Sequence, residues 1–282
     1  MHIIYENEYG MISMGKKQSP WRLISIKGLN IPEKSHSVVR YGNFGGQQTV
    51  FSVPDARIIT ISGDFYSENI GEELCNALRI FNSRGTLSVI SGDKQRLIKC
   101  SQITFEEIER KRCYLRFALQ FVCDNPYFND LFPNVTGIFE RKGSLKNSFT
   151  LPCSFSTRNS NKYVVNSGDE VSEPTLKIYV ESVNGQNENE TKGYKISNLT
   201  TGKFIWLVYE AAAGEVIEIN IGDRTITSSK NGNIISKISD DTFLSDFNLK
   251  KGANLINVLN YNPNETLKVE CIFNNSYVEA VY

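Results

Sequence analysis

The chain has 282 residues, 40% of them hydrophobic and 22% charged, with Lys plus Arg and Asp plus Glu balanced at 31 each. That length exceeds what one hydrophobic core usually serves, so two domains are expected, and the composition fits a folded soluble protein. A zero net charge gives no summed positive field to attract nucleic acid or an anionic membrane, and no stretch reaches the ~18 apolar residues of a membrane helix.

The opening MHIIYENEYGMISM has no basic segment followed by an apolar one, so it does not read as a signal peptide. It predicts a protein that stays soluble in the cytoplasm of its maker, with His2 in a loose N-terminus. Trp21 to Leu29 alternates through Ile24 and Ile26, the pattern of a half-buried strand. Gly28 to Pro54 is polar and Gly-rich, longer than most connections in a compact domain. It predicts an extended hairpin or arm reaching out of the domain. Arg57 to Phe65 resumes the alternation through Ile59 and Ile61. From Ser67 to Ser83 the apolar residues Ile70, Leu74, Leu78 and Phe81 fall at helical spacing. Glu72 and Glu73 suit the first turn, Arg79 the last, and Gly85 can end the helix.

Strands follow at Thr86 to Ile90, at Arg96 to Phe105 and at Cys113 to Cys123, whose odd positions read Cys, Leu, Phe, Leu, Phe, Cys. Asn125 before Pro126, and Asn129-Asp130, are turn chemistry, and a domain boundary is expected just after Phe132, giving domains 1–130 and 131–282. From there to about Asn161 the text is mixed, with a Gly/Ser-rich patch at Gly143 to Ser148. The second half alternates again at Pro174 to Val180, Lys203 to Tyr209, Glu215 to Ile221 and Thr266 to Phe273. Turn signals at Thr201-Gly202, Gly222-Asp223 and Asn231-Gly232 separate them. Short strands with frequent turns predict an all-β chain of two β-sandwich domains, with one α-helix in the first.

Candidate chemistry is sparse. There is no GxSxG, HExxH or phosphate loop ending in Gly-Lys-Ser/Thr. Gly42 to Gly46 is glycine-rich but lacks a strand-to-helix setting, so a flexible loop is expected. The six cysteines lack CxxC pairs, and with only His2 and His36 to complete a site no metal or cofactor is expected. All six, Cys75, Cys100, Cys113, Cys123, Cys153 and Cys271, read as buried reduced thiols inside apolar alternations, as where Cys113 and Cys123 share one face. Glu106, Glu107 and Glu109 beside Arg110 to Arg112 read as a solvated hairpin tip rather than a glycosidase pair. The triplets at Asn189 and Asn198 carry no meaning without secretion. An exposed Trp206 or Tyr209 could stack a sugar, although Trp206 between Ile205 and Leu207 could equally fill a core.

In combination, several segments resemble the distal tail protein (Dit) family of long-tailed phages. They are Arg57 to Gly63, Arg79 to Asn82, Gly85 to Leu87, Gly92 to Lys94 leading into Arg96 to Cys100, Phe117 to Cys123, and Asn125 to Phe128. In the second half, Asn166 to Asp169, Pro174 to Leu176, Gly214 to Ile219, Asn231 to Asn233 and Lys251 to Asn254 are similar to the family's C-terminal domain. The resemblance implies an N-terminal sandwich that forms a homohexameric ring and a galectin-like C-terminal sandwich. It implies a location at the virion tail tip, assembled in the host cytoplasm. The expected partners are the tail tube protein, a tail-associated lysin or fibre hub, and a receptor-binding protein, with DNA passing through the lumen unread. No enzymatic role is implied. A closed ring repeats one heterologous interface, which needs an arm or open strand edge. Val39, Arg40, Tyr41, Phe44 and Phe51 are the candidate interface residues. The alternative is a carbohydrate-binding module using Trp206 and Tyr209 on host glycans.

Overall fold

The computed structural model describes residues 1–15, 19–42, 45–141, 158–159, 161–185, 191–262 and 264–280. The chain divides into two compact units, Met1–Leu131 with Tyr277–Tyr282, and Phe132–Ser276. The return of the C-terminal end to the first unit has no counterpart in the sequence reading.

The first unit runs β1 (His2–Asn7), β2 (Gly10–Met14), β3 (Trp21–Lys27), β4 (Lys34–Arg40), β5 (Gln47–Pro54), β6 (Arg57–Tyr66), α1 (Ile70–Phe81), β7 (Gly85–Ser91), β8 (Lys94–Cys100), β9 (Gln102–Lys111), β10 (Tyr114–Cys123) and β11 (Phe128–Asp130). One layer has the order β3-β6-β10-β9. The other has the order β2-β1-β7-β8-β11, and the chain's last strand, Ser276–Tyr277, follows β11 in that order. Their inner faces and α1 share one core, in which Tyr5, Phe65, Phe117, Phe121 and Phe128 are fully buried. β10 alternates without a break: Leu115, Phe117, Leu119, Phe121 and Cys123 are buried. Trp21 stacks on Phe65 with centroids 4.3 Å apart and meets Phe117 edge-on at 5.0 Å.

Several local expectations are corrected. The N-terminus is not loose, because β1 is hydrogen-bonded between β2 and β7, with His2 opposite Ile90. Ile24 and Ile26 do not share a face. A bulge between Leu23 and Ser25 turns Ile24 outward, 57% exposed, while Leu23 and Ile26 pack on the core. In α1 the buried stripe is Ile70, Leu74, Ala77 and Phe81, and Leu78 is partly exposed. Steps of four, three and four hold one face at 100° per residue, whereas two successive steps of four drift off it. The helix ends at Asn82, before Gly85. Gly85 is instead a packing glycine, since a Cβ there would meet the Tyr5 hydroxyl and the Glu6 carbonyl. Arg96 to Phe105 is not one strand: the chain leaves one layer at Cys100 and enters the other at Gln102. At that crossing Ser101 donates its backbone N–H to Val122 O at 2.8 Å. Cys75 and Cys113 are exposed, not buried, because Cys75 lies off the buried stripe of α1 and the β9–β10 turn lies at Arg112-Cys113. Glu106 to Glu109 therefore lie along β9, an edge strand, where charge blunts edge-to-edge pairing.

The second unit runs β12 (Asn134–Arg141), β13 (Arg158–Asn159), β14 (Asn161–Asn166), β15 (Thr175–Val183), β16 (Tyr194–Asn198), β17 (Lys203–Leu207), β18 (Glu215–Asn220), β19 (Thr225–Ser228), β20 (Gly232–Asn233), β21 (Gly252–Asn260) and β22 (Glu265–Phe273). Its two sheets have the orders β13-β12-β22-β15-β18-β19-β20 and β14-β21-β16-β17, entirely antiparallel. The alternating residues Leu176, Ile178 and Val180, Ile217 and Ile219, and Leu267, Val269 and Cys271 fill the space between them. The fold is the expected all-β pair of sandwiches with one α-helix. The Gly143 to Ser148 patch, Cys153 and the Asn189-Glu190 pair lie outside the described residues.

Buried asparagines close the turns of this unit. Asn166 donates to Glu170 O at 2.8 Å and Leu249 O at 3.0 Å and accepts from Gly168 N. Asn254 accepts from Lys250 N at 2.9 Å and donates back to Lys250 O at 2.7 Å. Asn198 is fully buried and donates to Asn248 O at 2.8 Å, so its NxT triplet is a turn device and not a glycan acceptor.

Candidate assembly surface

The stretch from Gly28 to Pro54 contains a hairpin of its own. Among the described residues β4 pairs only with β5, as a separate two-stranded sheet. Every residue of β4 is exposed, and so is every residue of β5 except Pro54. Cross-strand partners share a face, and β4 alternates without interruption while the bulge falls at Val50 of β5, so the register Ser35–Val53, Ser37–Phe51 and Val39–Gln48 gathers Val39, Phe51 and Val53 on one side. Val38, opposite Thr49, lies on the other side. Phe51 is 63% exposed, Val50 65%, Val39 55% and Tyr41 50%. Among the described residues neither face of this hairpin is covered, although two strands alone are marginal in water.

The base of the arm is rigidly tied. Asp55 N donates to Glu33 O at 2.9 Å, and Ser35 Oγ donates to the Asp55 carboxylate at 2.7 Å. Below them Arg57 is 2% exposed. Its guanidinium donates to Gly28 O at 2.7 Å, to Asn30 O, to Pro126 O at 2.5 Å and to Val278 O at 2.6 Å, and it lies 4.8 Å from the Phe128 ring centroid. Burial pulls its pKa below the usual guanidinium value. The four carbonyls supply the hydrogen bonds that a buried cation requires. Gly28 has φ +87°, and a Cβ there would fall on the Ile58 carbonyl, so only glycine makes this bend.

Of the expected interface residues, the hairpin brings Val39, Arg40, Tyr41 and Phe51 together, all exposed. Phe44 lies outside the described residues. Val38, Val50 and Val53 were missed as interface candidates, although the TVFSV alternation from Thr49 to Val53 carries the signal.

Trp206 and Tyr209 sit in the second unit. Trp206 is half-buried, donates Nε1–H to Lys192 O at 3.2 Å and lies 6.0 Å from the Tyr261 ring. Tyr209 donates its hydroxyl to Glu215 Oε1 at 2.6 Å and accepts from Asn231 Nδ2 at 2.5 Å. Glu215 is 1% exposed. Burial alone would raise its pKa, but hydrogen bonds from Ser228, Tyr209 and Ala212 outweigh that and hold it below the ordinary range. Tyr209 thus has its polar end committed to a buried carboxylate.

A second buried carboxylate, Glu265, borders a cavity of about 390 Å³ together with Lys192, Glu210, Asn262 and Asn264. Tyr194 donates to Glu265 Oε2 at 2.8 Å and Asn262 to Oε1 at 3.0 Å. Desolvation pushes Glu265 up to about 7 in spite of these donors. Glu210 is engaged by Lys192 at 2.9 Å.

Residues 167–277 match the family described as siphovirus-type tail component, C-terminal domain. Over 98% of this chain and 99% of the other, the fold is similar to the crystal structure of SPP1 Dit (gp 19.1), whose description calls it a paradigm of the hub adsorption apparatus in phages infecting Gram-positive bacteria; the TM-score is 0.66 at 11% identity. A chain of the phage P2 baseplate in its activated conformation with Ca gives a TM-score of 0.51 at 12% identity, covering 96% and 97%. No curated protein sequence matches the chain.

Proposed function

We propose that this chain, a Dit-type phage tail component by the family of its residues 167–277 and by its whole-chain fold, is a non-catalytic hub subunit that closes into a six-membered ring. The ring sits at the virion tail tip after assembly in the host cytoplasm. It joins the tail tube protein to a tail-associated lysin or fibre hub, offers a seat for a receptor-binding protein, and lets DNA pass through its lumen. The observation that carries this reading is the β4–β5 hairpin, apolar on both faces, uncovered, and held at its root by Glu33, Asp55 and Arg57. A heterologous interface repeated about an axis needs such a projecting element on one subunit and a receiving surface on the next. The balanced charge suits subunits crowded around a channel that must not grip a polyanion.

Because Asp55 N already bonds Glu33 O, residues 34–54 can be replaced by an Asn-Gly turn without disturbing either core. Light scattering on the full chain should give a closed oligomer of six, and the deletion should give monomers that still melt cooperatively. Rings that persist in the deletion refute the arm as the interface. A full chain that stays monomeric at every concentration refutes the ring.

A further inference from the structure

The first unit holds two free thiols that no assembly role uses. Cys100 ends β8 in one layer and Cys123 ends β10 in the other, and their Sγ atoms are 3.5 Å apart. Both are buried. The strand ends that carry them are already fastened. Ser101 N donates to Val122 O at 2.8 Å, and Ser101 Oγ bonds both Val122 O at 3.1 Å and Asp124 Oδ1 at 2.8 Å. A disulfide needs its sulfurs about 2.05 Å apart, roughly 1.5 Å closer than these two stand. There is also a route in. A cavity of about 440 Å³ is lined by Cys100 with Arg84, Thr86, Lys99, Ser101 and Asp124. Cys123 lies opposite Arg57 in the β10–β6 register.

We propose that Cys100 and Cys123 form a modification site, a dithiol that hydrogen peroxide converts into an intramolecular disulfide joining the two layers of the first unit. Cys100 Sγ, giving up its proton, attacks one peroxide oxygen. The O–O bond breaks, water leaves and Cys100 becomes a sulfenic acid. Cys123 Sγ then attacks that sulfur, its proton leaves with the hydroxyl as a second water, and the S–S bond forms. Two thiols are oxidised and one peroxide is reduced to two waters. The contact with Cys123, and burial, hold the Cys100 thiol above its ordinary pKa, so the reaction is slower than at the exposed Cys75 and Cys113. On the tail-tip reading, from which this consequence alone follows, a hub assembled in a reducing cytoplasm is cross-stitched after the particle reaches an oxidising medium.

The test uses the full chain carrying Cys75→Ser and Cys113→Ser, treated with hydrogen peroxide, denatured in alkylating agent and mapped by mass spectrometry without reduction. The expected result is a Cys100–Cys123 cross-linked peptide, an intact mass lower by two hydrogens, and an upward Tm shift of roughly 5–10 °C that a reducing phosphine reverses. Cys100→Ala should lose both the link and the shift. Recovery of both thiols fully alkylated, or a link only between other cysteines, overturns the proposal, and this mapping needs no variant at Cys100 or Cys123. Failure here leaves the ring untouched, because light scattering on the same samples reads assembly separately.

Discussion

Phe51→Ala separates an assembly arm from a structural hairpin. Phe51 is 63% exposed and faces Ser37 across β4–β5, with no core residue behind it. A phenylalanine carries about 200 Å² of coverable surface, so about 125 Å² of this one is open to a neighbouring subunit. At ~25 cal/mol per Å², covering it contributes about 3 kcal/mol to each subunit contact, of which truncation to Ala removes most. The contact should weaken on the order of 100-fold, and a closed ring suffers that loss at every interface. Within the monomer only a cross-strand pair changes, which costs well under about 1 kcal/mol. Sedimentation velocity across a concentration series should show the variant dissociating about two decades above the wild type, with an unchanged melting curve. Assembly at the wild-type concentration would show that the Phe51 ring is not covered in the oligomer. A melting temperature several degrees lower would show that the hairpin serves the fold of its own subunit.

Two further perturbations test the cores. Phe117→Ala or Phe121→Ala should each cost roughly 3–5 kcal/mol in denaturant unfolding, since both rings are fully buried between the layers and leave a cavity, and near-wild-type midpoints would invert the assigned sheet face. Glu265, pushed up to about 7 from an ordinary 4.5 by burial, keeps its proton in the folded state while the unfolded chain has released it. The contribution is therefore fully present below pH 4.5 and is lost as pH rises to 7, a decline of about 2–3 kcal/mol that Glu265→Gln should flatten. Parallel slopes for wild type and variant between pH 4.5 and 7 would remove Glu265 as the cause.

What could be read in advance depended on where the information sits along the chain. β10 is legible because one side chain in two enters the core, and that period is written in adjacent residues. The hairpin is legible because a long polar Gly-rich span between two strands has few other solutions. The layer switch at Ser101 is not, because Arg96 to Phe105 keeps its apolar character through the crossing while the sheet receiving it changes. The bulge at Ile24 is hidden for a related reason: a bulge shifts phase by one residue, and an isoleucine fits either face. Arg57 is the clearest case. All four of its acceptors are backbone carbonyls, on residues up to 221 positions away, and every residue type has a carbonyl.

The Arg57 cluster fixes the arm to its own domain. A two-stranded ribbon has no core and would wander if joined to the domain by flexible chain. Here both roots of the ribbon are fixed. Gly28 O and Asn30 O, on the ingoing side, are drawn onto the same guanidinium that holds Pro126 O and Val278 O, and Arg57 itself opens β6 on the outgoing side. Removing the guanidinium would leave four carbonyls to find new donors in a buried place, so the cluster has little freedom to rearrange. A ribbon mounted on such a base presents Val39, Phe51 and Val53 at a set angle. For the proposed ring, the ordering cost of binding would then largely be met before a neighbour arrives, the condition for short exposed contacts to close a ring instead of an open chain of variable pitch.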